Sequence, residues 1–137
     1  MSIGRFETLR GIDTNVVLRL LLRDDPKQVA IVDALVAQGN LFVSLTVLAE
    51  TEWVLRAAYQ FDRATIAGFL GSLILIEGII VADRAGLHWA CERYLAGADF
   101  TDMIHLVASE GRPFLTFDRK LVKLAGDNAP SLAQLAR

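Results

Sequence analysis

The segment LRGIDTNVVLRLLL, residues 9–22, decides the fold class. Leu9 to Asp13 reads as a short strand ending at an acid. From Asn15 to Leu22 the apolar residues Val16, Val17, Leu20 and Leu21 recur at helical spacing. Short β-branched or apolar runs alternate with helical stretches along the rest of the chain, the pattern of an α/β domain with a mostly parallel central sheet.

Asp24 and Asp25 can cap a second helix with Pro26 in its first turn, ending near Gly39. Leu41 to Ser44 (LFVS) is a brief strand. Leu45 to Tyr59 is a helix whose apolar positions are Val47, Leu48, Trp53, Val54 and Leu55. Asp62 caps a further helix to about Leu75, Ile79 to Val81 is a third strand, and Asp83 opens the helix that holds Trp89 and Tyr94 until Gly97 breaks it. Asp99 to Glu110 is helical, Phe114 to Phe117 a fourth strand, and Asp118 to Ala125 a closing helix, with no periodic signal beyond Gly126. Trp53 and Trp89 fall among apolar residues and read as core. There is no repeat, linker or low-complexity stretch, so residues 1–137 are expected to form one domain.

Composition narrows the function classes. With 53% hydrophobic residues and a mean hydropathy of +0.40, the chain lies far from the disordered class and can bury a large core. Its most apolar window, Phe69 to Ala82, carries Glu77 and two glycines, which suits a core helix followed by a buried strand better than a membrane span. The opening residues lack the order of a signal peptide, and the expected location is cytoplasmic. Cys91 is the single cysteine and reads as a small buried side chain, which leaves no internal disulfide and no thiolate metal cage. A net charge of −2 argues against coating nucleic acid by bulk charge, but allows an enzyme with an acidic metal site and a local basic patch.

In open α/β sheets ligands bind at the carboxyl ends of strands, which gives acids at strand exits extra weight. Asp13 ends the first strand, Asp118 follows the fourth, and Asp99 and Asp102 start the helix leading into that fourth strand. Glu50 lies inside a helix beside Leu48, Ala49 and Trp53, whereas Glu52 better suits a solvated face. Mg²⁺ and Mn²⁺ favour hard oxygen ligands, and carboxylates converging on such ions can support phosphodiester hydrolysis. These acids are distant in sequence, so only the fold can gather them. Each has an ordinary reading too: Asp13 and Asp118 precede helices and can be N-caps, and either of Asp99 and Asp102 can serve the other's helix.

Taken as an ordered set, GIDTNVVLRLLLRDDP (residues 11–26), VSLTVLAETEWVL (43–55) and GADFTDMIHLVASEGRPFLTFDRKL (97–121) resemble the PIN domain, specifically the VapC-type toxin ribonucleases of type II toxin-antitoxin pairs. The resemblance spans nearly the whole chain. It implies a PIN-like, Rossmann-like three-layer α/β/α sandwich, dependence on Mg²⁺ or Mn²⁺, and endoribonuclease activity. It places the four acids on Asp13 in IDTN, Glu50 in LAE, Asp102 in DMIHLVAS and Asp118 in TFD, with Asn15, Thr116 and Asp99 as accessory positions. Asp102 is favoured over Asp99 because it leads straight into the apolar helix. The resemblance further implies an RNA substrate, a cognate antitoxin and a homodimer.

On this reading Asp13, Asp102 and Asp118 ligate metal, and Glu50 ligates or orients the attacking water. Thr14 or Thr116 can add contacts nearby, and Arg19, Arg23, Arg56, Arg119 and Lys120 are candidates to hold the RNA backbone. His88 and His105 read as structural. A receiver-type phosphoryl-transfer domain would need a phosphorylatable Asp on the third strand, which the setting of Asp83 does not provide. The remaining rivals are a catalytically silent PIN-fold scaffold and a DNA-directed nuclease.

Overall fold

Every α-helix in the computed structural model, which describes residues 8–137, starts on an Asp or Ser whose side-chain oxygen accepts from the backbone N–H three residues on. The caps are Asp13, Asp25, Ser44, Asp62, Asp83, Asp99 and Asp118. Each satisfies a donor that has no partner within the helix, a contribution of about 1 kcal/mol per cap. The helices are α1 (Thr14–Leu22), α2 (Pro26–Gln38), α3 (Leu45–Ala57), α4 (Arg63–Ser72), α5 (Arg84–Leu95), α6 (Phe100–Ala108) and α7 (Arg119–Ala125). A single 3-10 turn, Leu73–Leu75, continues α4. The opening residues read above for a leader lie outside the described ones, apart from the last few before Asp13.

The strands are β1 (Arg10–Gly11), β2 (Leu41–Val43), β3 (Ile79–Val81), β4 (Phe114–Thr116) and β5 (Ala133–Leu135). Every pairing among the described residues is parallel: β2 is central between β1 and β3, in register Gly11↔Phe42 and Val43↔Val81, and β4 pairs with β5. Sheet and helices form a three-layer α/β/α sandwich. Among the described residues the hydrogen-bonded ladder falls into two pieces, β1-β2-β3 and β4-β5, where the sequence suggests one sheet. Gly78 must be glycine to connect to β3. Its φ is +97° and a Cβ there would run into the Val36 carbonyl.

Leu41, Val43, Leu48, Leu55, Ile66, Leu70, Leu87, Tyr94, Phe100, Met103 and Leu106 are buried together in the core. Helix α1 packs on α2 and α3, α4 on α5, and α5 on α6, while α3 reaches α6. Gly86 permits the α5–α6 approach, since an added Cβ would lie 2.6 Å from Val107 Cγ1. No helix among the described residues is long and apolar enough to cross a membrane.

Several expectations change. Trp53 is 56% exposed and is not core, because the buried face of α3 runs through Leu48, Thr51, Glu52 and Leu55, one stripe at helical spacing that leaves Trp53 on the outside. Trp89 is partly buried against the core. The fourth strand stops at Thr116, and Leu115 and Phe117 point outward, with Phe117 87% exposed. The weak region after Gly126 holds β5, which exists through pairing: Phe114 N–H donates to the Leu132 carbonyl at 2.8 Å and Ala136 N–H to that of Thr116 at 2.8 Å.

Candidate functional site

The cap positions put acids at the ends of strands. Asp13 leaves β1 and caps α1, its Oδ1 accepting from Val16 N–H at 3.0 Å. Asp118 leaves β4 and caps α7, accepting from Leu121 N–H at 3.0 Å. Asp99 caps α6, accepting from the N–H of Asp102 at 2.9 Å. The ordinary reading of these three acids as caps is therefore correct, and it occupies one oxygen, Oδ1, of each carboxylate. Asp102 caps nothing. It sits in the first turn of α6, half-buried.

A cleft of about 350 Å³ is lined by Asp99, Asp102 and Asp118 together with Arg63 and Lys120, over a floor that includes Met103 and Leu121. The Asp102 carboxyl is pushed above the ordinary carboxylate range, by burial first and then by the negative charges of Asp99 and Asp118, with His105 acting in the opposite direction. His105 itself is exposed and stacks on Phe114 with ring centroids 6.2 Å apart. Thr116 Oγ1 accepts from the N–H of Asp118 at 3.0 Å, which shapes the turn between β4 and α7.

Glu50 is tied to the residue that follows Asp13. Thr14, buried next to Asp13, donates its hydroxyl hydrogen to the Glu50 carboxylate and so joins the start of α1 to α3. Asn15 is exposed in the same first turn. Neither Asp13 nor Glu50 lines the cleft of Asp102. Among the described residues, no group of three or more His, Cys, Asp or Glu side chains is arranged to hold a metal ion. The donor chemistry nonetheless fits a hard divalent cation: every candidate ligand is a carboxylate, and the charge crowding at Asp102 is of the kind a cation relieves.

The two glutamates of α3 exchange the environments expected of them. Glu50 is exposed, while Glu52 is 2% exposed and bonded on both sides, accepting from Tyr94 OH at 2.9 Å and from Arg56 Nε at 2.8 Å. Burial, then the bond to Glu52, pushes the Tyr94 hydroxyl well above its ordinary range. Several proposed backbone-holding cations are already engaged. Arg56 is bound to Glu52, Arg19 pairs with Asp24 at 2.8 Å, and Arg23 forks onto Asp33 at 3.0 and 2.7 Å. Lys120 lines the cleft and Arg119 is exposed beside it. Sequence reasoning missed Arg63, whose only local signal is a place at the start of α4, and missed the buried Glu52–Tyr94 pair, whose residues lie on different helices.

No match to the chain was found among curated proteins or among solved structures. The PIN domain family matches residues 12–127, a span that starts at the exit of β1, contains Asp13, Glu50, Asp99, Asp102 and Asp118, and ends just after α7. PIN domains are in general nucleases and typically use divalent metals. By its parallel α/β/α architecture and by this match across most of its length, the chain belongs to the PIN domain family.

Proposed function

We propose that the protein is a metal-dependent endoribonuclease that acts in the cytoplasm as the toxin of a VapBC-type toxin-antitoxin pair. The observation that carries the nuclease reading is the half-buried Asp102, crowded by Asp99 and Asp118 in a cleft that also presents Arg63 and Lys120. Acids and cations in one cleft suit a site that must hold a divalent ion and a phosphodiester together.

Asp102 and Asp118, which share the cleft, would hold Mg²⁺ or Mn²⁺; on the family resemblance Asp13, at the exit of β1, would join them, with Glu50 as a further ligand or as the group that orients the attacking water. A bound ion would supply Lewis-acid activation of water and neutralise charge at the departing oxygen. The Thr14 hydroxyl restricts the Glu50 carboxylate, which can then orient water through a hydrogen bond. Lys120, in the first turn of α7, lines the cleft and would meet a phosphate there, with Met103 and Leu121 as apolar lining. Asp99 keeps α6, and with it Asp102, in place through the cap. Asn15 and Thr116 support the acids next to them. The exposed Trp53, Tyr59 and Phe117 offer apolar area for an antitoxin or a second copy of the chain.

The test is cleavage of total cellular RNA and of a matched single-stranded DNA by purified protein with Mg²⁺, Mn²⁺ or EDTA, beside Asp13→Ala and Asp102→Ala. Cutting of RNA that needs metal and is lost in both variants is the expected result. Cutting of DNA instead would transfer the reading to a DNA nuclease. A folded wild type that cuts neither substrate would leave a silent scaffold.

A further inference from the structure

Arg63 lines the acidic cleft without pairing with any of its acids. Its Nη1 donates to the Tyr94 carbonyl at 2.8 Å and to the Ala98 carbonyl at 2.6 Å, and its Cζ lies 4.5 Å from the centre of the Tyr94 ring. Two bonds to main-chain oxygens and one aromatic face fix the guanidinium in place. Among the described residues, no carboxylate lies within ion-pair distance of Arg63 and no protein group accepts from its Nε or Nη2.

A guanidinium has five N–H donors, and Nη1 carries two of them. Both are spent on Tyr94 and Ala98, which leaves the Nε–Nη2 edge, the side that matches two oxygens of a phosphate. Arg63 is an exposed residue that lines the cleft, and no protein group accepts from that edge. The ordering entropy of a long side chain has already been met by the fold, which favours binding. Arg19, Arg23 and Arg56, by contrast, already bind carboxylates. A cleft with three acids repels a polyanion, and a fixed, unneutralised cation at its wall offsets that repulsion.

We propose that Arg63 is a phosphate-binding residue of the cleft, gripping the substrate backbone through the Nε–Nη2 edge of its guanidinium; this rests on the ribonuclease reading above. The role is distinct from that of the acids: Arg63 selects where the strand lies, and contributes to binding rather than to the activation of water.

The test is fluorescence anisotropy of a short labelled single-stranded RNA with Ca²⁺ as the only divalent ion, at several salt concentrations, for wild type, Arg63→Gln and Arg63→Lys, each with a melting curve. Arg63→Gln is expected to bind about tenfold more weakly and to lower the slope of log affinity against log salt by roughly 0.7, one phosphate contact on a single strand. Arg63→Lys keeps the charge without the fork, so it should retain the slope and lose affinity by several fold, which also decides the matter should Arg63→Gln fail to fold. An Arg63 that merely ties down the Ala98 carbonyl would lower the melting temperature and leave affinity and slope unchanged, and that result overturns the proposal. So does a wild type that binds no RNA. Cleavage assays with Mg²⁺ or Mn²⁺ separate the two readings. Arg63-dependent binding without cutting removes the nuclease reading alone, and metal-dependent cutting with unchanged Arg63→Gln binding removes the Arg63 proposal alone.

Discussion

The Thr14 hydroxyl donates to the Glu50 carboxylate across 36 residues of sequence, linking the turn that follows Asp13 to the middle of α3. Thr14 is 6% exposed, so its hydroxyl has a fixed direction, while the glutamate it holds is open to solvent. A buried donor aimed at an exposed acid does little for stability and a good deal for orientation. Thr14→Val should therefore change unfolding free energy by no more than about 1 kcal/mol, yet slow RNA cleavage by about tenfold or more. Thr14→Ser, which keeps the donor, should remain near wild type. Chemical denaturation and single-turnover cleavage of the three proteins check this; an unchanged rate in Thr14→Val would remove Glu50 orientation from the mechanism.

Glu50 and Glu52 should separate activity from stability. Glu52→Ala strands the Tyr94 hydroxyl in the core and frees Arg56, and should cost about 2–4 kcal/mol in denaturant unfolding. Glu50→Gln, at an exposed position, should stay within about 0.5 kcal/mol of wild type while cleavage is lost. Equal stability losses in the two variants would contradict the burial difference on which the assignment depends.

Asp102 gives a pH dependence whose direction follows from its environment. Its carboxyl is raised, so the folded state holds that proton more tightly than the unfolded state does. Stability is then lost as pH climbs from the ordinary carboxyl value through the raised folded one, and the penalty is complete once the pH lies above both. Asp102→Asn should accordingly melt higher than wild type at pH 7 in EDTA, with the difference vanishing below about pH 4, where both states are protonated. Mg²⁺ should raise the melting temperature of wild type and not that of the variant. A lower melting temperature for Asp102→Asn at pH 7 would show that charge crowding is not what Asp102 experiences.

Cys91 is buried in α5, and burial pushes its thiol up to about 11. Little thiolate forms at pH 7 and little of it is reachable. Alkylation by iodoacetamide should be negligible in the native protein and should rise with the unfolding transition in denaturant. Rapid labelling without denaturant would place Cys91 at an accessible surface.

What was legible in the sequence is what local chemistry dictates. An Asp or Ser before an apolar periodic run captures the backbone N–H three residues on wherever it stands, so Asp13, Asp25, Asp62, Asp83 and Asp118 announce their helices. Ile79–Val81, a β-branched run between a glycine and a capping acid, is a strand with the expected ends. The ordered segments 11–26, 43–55 and 97–121 also resembled the PIN family closely enough to name it, which the match over residues 12–127 bears out.

The tertiary structure alone decided what depends on distant partners. Glu52 can lie inside because Tyr94, 42 residues away on α5, donates to the buried carboxylate, a partner that the sequence of α3 does not reveal. Residues 133–135 become a strand because β4 supplies the hydrogen bonds. Asp99, Asp102 and Asp118 share one cleft, Glu50 is bonded to Thr14, and Arg63 reaches that cleft through carbonyls more than thirty residues away. Capping is satisfied within one helical turn, so sequence determines it; burial, strand pairing and the meeting of charges are satisfied by groups far along the chain, so only the folded structure does.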